Sequence, residues 1–340
     1  MTDGAAMQIS VICPVFNARA AELCQAVASV LQQDLDRGCE VLLVDDFSTD
    51  PATLEAIREL AASDSRVVAL RTPRNGGPAV ARNLGLDHAT RPWIGFLDAD
   101  DLWMPDRLAR AAAALHDHPD AAWIGGDINF LNAAGVLTPA PSLRCTQDRA
   151  DNQVEVCATP ELTRAIILDG LSLGTGLYRR DRLGSLRFNQ AVRYGEDVLF
   201  LVRLSLNVAM THIPRTAYVA RRQHESMMWS KGRLSARFAS GPRAGYRDPA
   251  LRGFRREYRW ALYAVYKDIA VNNLINGRGL AGLGHALQAL ALDPREIRPF
   301  LRYIWLFATQ GRPHLAQRAR GYSGCEQVLL NEAGQFQETR

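Results

Sequence analysis

The chain has 340 residues, 47% of them hydrophobic and 22% charged, with a formal net charge of +4. That balance belongs to a folded, soluble protein of one large or two ordinary domains and excludes a disordered chain. No apolar run approaches the roughly 18 residues of a membrane span, and residues 1–10 lack the basic start and apolar core of a signal peptide.

Residues 8–16 predict a first buried strand, ended by Pro14. Asn17 to Gln33 carries Leu23, Val27, Val30 and Leu31 at helical spacing. Residues 40–44 are a second apolar strand that runs into Asp45-Asp46-Phe47-Ser48-Thr49-Asp50-Pro51. There Asp50 reads as an N-cap, and Pro51 as the first residue of a helix through Ala62. A third strand over 67–71, a loop at Asn75-Gly76-Gly77-Pro78 and a helix over 79–88 follow. The fourth strand, 93–97, runs straight into Asp98-Ala99-Asp100-Asp101.

This β-α-β-α-β-α-β alternation predicts a doubly wound parallel sheet with its ligand at the strand C-termini. Pro14–Asn17, Asp45–Ser48 and Asp98–Asp101 all fall at such ends. Crowded carboxylates repel, and burying them is costly unless a cation neutralises them. The run 98–101 therefore points to a divalent metal on hard oxygen ligands. A solvated turn in which Asp100 or Asp101 caps the next helix explains the same residues.

Beyond it the sequence predicts a helix over 105–116, a strand within 121–131, a polar mobile loop over 138–153 and a helix over 161–168. A glycine-marked strand over 173–178, a helix from Gly195-Glu196-Asp197 to about Leu206 and a last strand within 209–222 complete the first part. After Ser226 the periodicity is helical, over 258–274, 280–292 and 297–308. The expected organisation is a catalytic domain over 1–225, with halves of about 8–103 and 104–225, and a helical region over 226–340.

Taken in order, Ser10-Val11-Ile12-Cys13-Pro14-Val15-Phe16-Asn17, Val44-Asp45-Asp46-Phe47-Ser48-Thr49-Asp50, Arg74-Asn75-Gly76-Gly77-Pro78, Ala81-Arg82-Asn83, Phe96-Leu97-Asp98-Ala99-Asp100-Asp101 and Gly195-Glu196-Asp197 resemble glycosyltransferase family 2. The resemblance spans roughly residues 8–226 and, more narrowly, is similar to bacterial exopolysaccharide-type transferases. It implies a GT-A α/β fold, a doubly wound mixed sheet, and an inverting transfer of one sugar from a nucleotide-diphosphate donor, expected to be UDP-linked.

By that resemblance Pro14, Phe16, Asp46, Asn75, Arg82 and Asp98 fall where the family holds the nucleotide. A carboxylate can accept the imide N–H of uracil and an aromatic ring can cover a base, although Phe16 in the core and residues 75–77 as a mere turn fit equally. Asp98 and Asp100 match the Asp-x-Asp motif for Mn²⁺ or Mg²⁺, with His224 as a further ligand, or else a surface histidine. Asp197 takes the role of base and Glu196 that of helper. By itself an acidic pair at a helix start is more often a cap.

The six cysteines form no Cys-x-x-Cys pair, which fits reduced thiols in the cytoplasm. Residues 226–340 carry 18 Lys and Arg against 8 Asp and Glu, whereas residues 1–225 carry 22 against 28. The basic part suits peripheral contact with the inner face of a membrane, and equally an ordinary solvated helical face. The expected partners are the nucleotide sugar and a saccharide or lipid-linked saccharide acceptor, with no nucleic acid and with room for a homo-oligomer. The Gln-x-x-Arg-Trp motif of processive synthases is missing from the chain, which argues for one sugar per encounter. Two rival readings are a sugar-phosphate nucleotidyltransferase and an inactive sugar-binding module. The first would need a basic, glycine-rich N-terminal phosphate loop, and Cys13–Asn17 has none. The second would have no need of Asp98, Asp100 and Asp197 together.

Overall fold

The computed structural model describes residues 7–33, 38–131, 137–139, 154–222, 236–275, 279–292, 294, 328–330 and 336–338. The first half alternates as β1 (Ile9–Val15), α1 (Ala20–Leu31), β2 (Cys39–Asp45), α2 (Pro51–Ser63), β3 (Val67–Arg71), α3 (Pro78–His88) and β4 (Trp93–Phe96). Then come β5 (Asp101–Trp103), α4 (Arg107–Asp117), β6 (Trp123–Leu131), β7 (Leu137–Pro139), β8 (Glu155–Cys157) and α5 (Glu161–Asp169). Last in this part are β9 (Leu177–Arg179), α6 (Arg180–Leu183), α7 (Glu196–Ser205) and β10 (Met210–Arg222).

One mixed sheet runs in the order β3-β2-β1-β4-β9-β6-β10-β5, with β7 on β6 and β8 on β10. Because β1 pairs in parallel with both β2 and β4, with Val15 opposite Asp45 and Ile12 opposite Phe96, the loops after all three strands leave by one edge. The strand order reverses at β1, and such a switch point opens a crevice for a ligand.

Alternation along β1 decides what covers each face. Ile9, Val11, Cys13 and Val15 lie in one core with Leu23, Ala26, Val27 and Val30 of α1. Ile12 points the other way, and a Cβ on Gly85 of α3 would collide with its branched carbons. That close approach seats α3 against the sheet and aims its first turns at the crevice.

The structure corrects three local expectations. Asp101 starts β5, opposite Arg221 of β10, and neither Asp100 nor Asp101 caps a helix. Residues 173–178 divide into a 3-10 turn over Leu173–Thr175 and the strand β9, because Thr175 and Gly176 bond back to Ser172 and Leu173. Residues 137–139 pair with β6, while the rest of the expected loop, 140–153, lies outside the described residues.

The chain divides into two compact units, one of residues 1–191, 196–224 and 327–340, the other of 192–195 and 225–326. The second contains α8 (Ser240–Arg247), α9 (Arg255–Ile275) and α10 (Gly279–Leu292) around Leu262, Tyr263, Tyr266, Ile269 and Ala289. Within it Gly241 N–H donates to the Tyr194 carbonyl at 2.9 Å. The helix expected over 297–308 lies outside the described residues. In the first unit, the short strands β11 (Val328–Leu330) and β12 (Phe336–Glu338) pair antiparallel.

Candidate functional site

The edge at the ends of β1, β2 and β4 is built from side chains that tie one loop to the next. After β1, Phe16 is exposed and Pro14 half-buried. The Asn17 carboxamide oxygen accepts the N–H groups of Thr49 and Asp50 at 2.8 and 2.9 Å. At the end of β2, Asp45 is buried, accepts Ser48 N–H at 2.8 Å and pairs with Arg71. A buried carboxylate needs such partners.

Asp46 is buried too, and its carboxylate is engaged inside the protein. It accepts Thr72 Oγ1 at 3.0 Å, Gly76 N–H at 3.0 Å and Gly77 N–H at 2.6 Å. The loop expected as a nucleotide contact is therefore shaped by the residue expected to read the base. Asn75, its first residue, is exposed, and Gly77 has φ 85°, which a glycine adopts without cost.

Arg82, on α3, joins the two acidic segments. Its Nη2 donates to Asp98 at 2.8 Å and its Nη1 to Glu196 at 2.9 Å. Burial works against its charge, but Asp98, then Glu196 and Asp197, more than offset this and raise its pKa above the ordinary arginine value. A planar fork with several donors suits two carboxylates at once. Neighbouring Asn83 holds the backbone of Phe188 in both directions, at 3.0 and 2.8 Å. The Phe188 ring stacks on Phe200 of α7, centroids 4.1 Å apart. The start of α7 is thus fixed to α3 by polar and apolar contacts together.

Glu196 is buried, and burial followed by the Asp197 charge raises its pKa against the pull of Arg82. Asp197 is half-buried and accepts Val198 N–H at 2.8 Å. Asp98 is half-buried and Asp100 exposed. Beneath them, burial, then the charges of Asp98 and Asp100, push the Cys13 thiol up and keep it protonated. His224 lies outside the described residues.

Among the described residues no cluster of three or more His, Cys, Asp or Glu forms a closed metal cage. Asp98 and Asp100, two residues apart after β4, are hard oxygen donors of the kind a divalent metal ion takes. That donor set fits Mg²⁺ or Mn²⁺ held by one or two carboxylates and completed by phosphate oxygens and water. Asp45 and Asn83 stand in the quoted motifs but were given no role from the sequence, and Arg71 was not quoted at all. Arg71 and Asn83 act on residues distant in the chain, Asp45 and Phe188.

Residues 10–134 match the family model described as Glycosyl transferase family 2. An uncharacterized glycosyltransferase of Haemophilus influenzae is 43% identical over 197 residues, 57% of this chain and 70% of that protein. The Rhizobium meliloti succinoglycan biosynthesis proteins ExoW and ExoU are 32% and 31% identical over 57% and 62% of this chain. The matches cover 62% and 60% of those two proteins, under two thirds of their length. Among solved structures, S. aureus TarS 1–349 in complex with UDP-GlcNAc superposes with TM-score 0.59 at 20% identity, covering 98% of this chain and 99% of that one. The mannosyltransferase PcManGT of Pyrobaculum calidifontis, in complex with GDP-Man and Mn²⁺, gives 0.55 at 19%, covering 94% and 81%. These two likenesses speak for the fold, which is that of GT-A-like glycosyltransferases.

Proposed function

The chain belongs to glycosyl transferase family 2, and we propose that it transfers one sugar from a UDP-sugar to a saccharide or lipid-linked saccharide, with inversion at the anomeric carbon. One observation carries the reading: a single guanidinium, Arg82, holds Asp98 from the end of β4 and Glu196 from the start of α7. Donor-side and acceptor-side carboxylates are thereby brought to one place.

Inversion by single displacement needs one base at the acceptor hydroxyl and stabilisation of the departing diphosphate on the opposite side. Asp197 is the base in this reading. Glu196 gives an oxygen to Arg82 and is buried, whereas Asp197 is the more accessible of the two. Glu196 orients that helix start and Arg82 keeps it beside Asp98. Asp98 and Asp100 would hold Mn²⁺ or Mg²⁺, with His224 as a further ligand. Bound there, the cation supplies neutralisation of charge on the leaving nucleotide. Pro14, Phe16 and Asn75 flank the base and ribose, and Asp46 keeps the 75–77 loop in shape for them. The succinoglycan relatives favour an exopolysaccharide pathway, and the basic residues 226–340 favour work beside a membrane in the cytoplasm.

A panel of nucleotide sugars incubated with Mn²⁺ or Mg²⁺ tests this, with released nucleoside diphosphate and the first-formed anomer followed by NMR. Metal-dependent release with the inverted anomer appearing first is expected. Release from no donor, or a retained first anomer, would overturn it.

A further inference from the structure

Among the described residues, two other than glycine take left-handed backbone, Asn17 at φ 46° and Phe47 at φ 65°. Asparagine visits that region readily; for a bulky aromatic it is a strained outlier that persists only where the surroundings impose it. The strain at Phe47 is not offset by burying its ring, which is 42% exposed.

The surroundings do impose it. Ser48, the next residue, donates its N–H to Asp45 at 2.8 Å, accepts Asn17 N–H on its hydroxyl at 3.0 Å and accepts Arg71 Nη2 on its carbonyl at 3.1 Å. Arg71 also pairs with Asp45, and its guanidinium carbon lies 4.8 Å from the Phe47 ring centroid. The ring is thus backed by the Arg71 guanidinium on one side and remains partly open to solvent. A rigid aromatic surface of this kind binds flat ligands with little loss of side-chain freedom.

We propose that Phe47 is the platform on which the nucleobase of the donor stacks, beside Phe16 at the neighbouring strand end. This rests on the nucleotide-sugar reading above. Place in the sheet selects the base over the acceptor sugar. Asp98 and Asp100 follow β4, whereas Phe47 follows β2, on the far side of β1. Two strand spacings of about 4.8 Å put these loops roughly 10 Å apart, which suits a base at one end and its diphosphate at the other. The acceptor-side residue Glu196 is tied through Arg82 to the β4 end. Asp46, next in line, is engaged with Thr72, Gly76 and Gly77, whereas the Phe47 ring stays exposed. Stacking tolerates either kind of base, and Phe47 serves a uridine or a guanosine donor alike.

The test titrates UDP, GDP and inorganic pyrophosphate, each with Mn²⁺, into the full chain and into Phe47→Asn and Phe47→Tyr, alongside thermal midpoints. Asparagine suits the backbone and removes the ring; tyrosine keeps it. Phe47→Asn should weaken the better-bound nucleotide by about tenfold, leave pyrophosphate unchanged and not lower the thermal midpoint. Phe47→Tyr should match the wild type. Unchanged nucleotide affinity in Phe47→Asn overturns the platform while leaving the nucleotide-sugar reading intact. Equal weakening of pyrophosphate also overturns it, since the residue would then shape the loop. A wild type that prefers neither nucleotide to pyrophosphate brings down the nucleotide-sugar reading itself.

Discussion

Asp100 stands at the exposed end of the strand-to-loop turn, beside an Asp98 already shared with Arg82. Asp100→Ala should therefore abolish the Mn²⁺ dependence of UDP binding with the thermal midpoint within a degree or two, as an exposed surface substitution changes folding little. Calorimetric titration with and without metal reads this, and unchanged affinity removes the metal assignment. Asp197→Asn keeps the size and the backbone contact to Val198 but takes no proton near neutral pH. Transfer should fall by about two orders of magnitude or more with donor binding nearly intact. An active Asp197→Asn together with a dead Glu196→Gln would exchange the two roles. Glu196 also carries a pH signature. Its folded pKa is raised above the ordinary 4.5, so the folded chain keeps a proton that the unfolded chain has lost. Its contribution to stability is full below 4.5 and is lost as pH rises through the raised folded value. In urea unfolding the stability of the wild type relative to Glu196→Gln should decline from acid to neutral pH.

At the scale of the elements, α3 matters more than its ordinary composition suggests. Its first turn follows the loop held by Asp46, its middle carries Arg82 and Asn83, and Gly85 sets how near it comes to β1. Gly85→Val would push α3 off Ile12, an overpacking that costs on the order of 1–3 kcal/mol. Because Arg82 sits less than one turn away on the same helix, transfer should fall further than the lost stability explains. Unfolding curves and rates on the same samples separate the two. A variant that loses stability alone would show that α3 is only packing.

At the scale of the whole molecule, the net charge is negative before residue 226, 22 Lys and Arg against 28 Asp and Glu, and positive after it, 18 against 8. Among the described residues no helix is long and apolar enough to cross a membrane. The stripe Tyr258, Leu262, Tyr266 on α9 is buried, as is Phe254, so these side chains serve the core of the second unit. Arg252, Arg255, Arg256 and Arg259 remain exposed with Trp260. Guanidinium and indole together suit a headgroup layer. Co-sedimentation with anionic vesicles should show binding that weakens with salt and drops when Arg252, Arg255 and Arg256 become Gln. No binding at low salt would assign these helices to packing alone.

What was legible in the sequence is what depends on near neighbours. The alternation of strands and helices through residue 97, the Asp50 cap on Thr53 N–H at 3.0 Å and Pro51 at the first turn of α2 are all local matters of periodicity and backbone donors. So was the arrival of acidic side chains at strand ends, since a strand's length decides where it stops. Tertiary structure decided which partner each charge meets. Arg82 read as a nucleotide contact, yet its partner Glu196 is 114 positions away. Asp46 read as a base contact, yet it holds two glycine amides 30 and 31 positions on. Asp101 read as part of a loop, yet its strand exists only because β10 returns beside it. A buried charge settles on whichever opposite charge or donor the fold brings within about 3 Å, and no spacing along the chain encodes that.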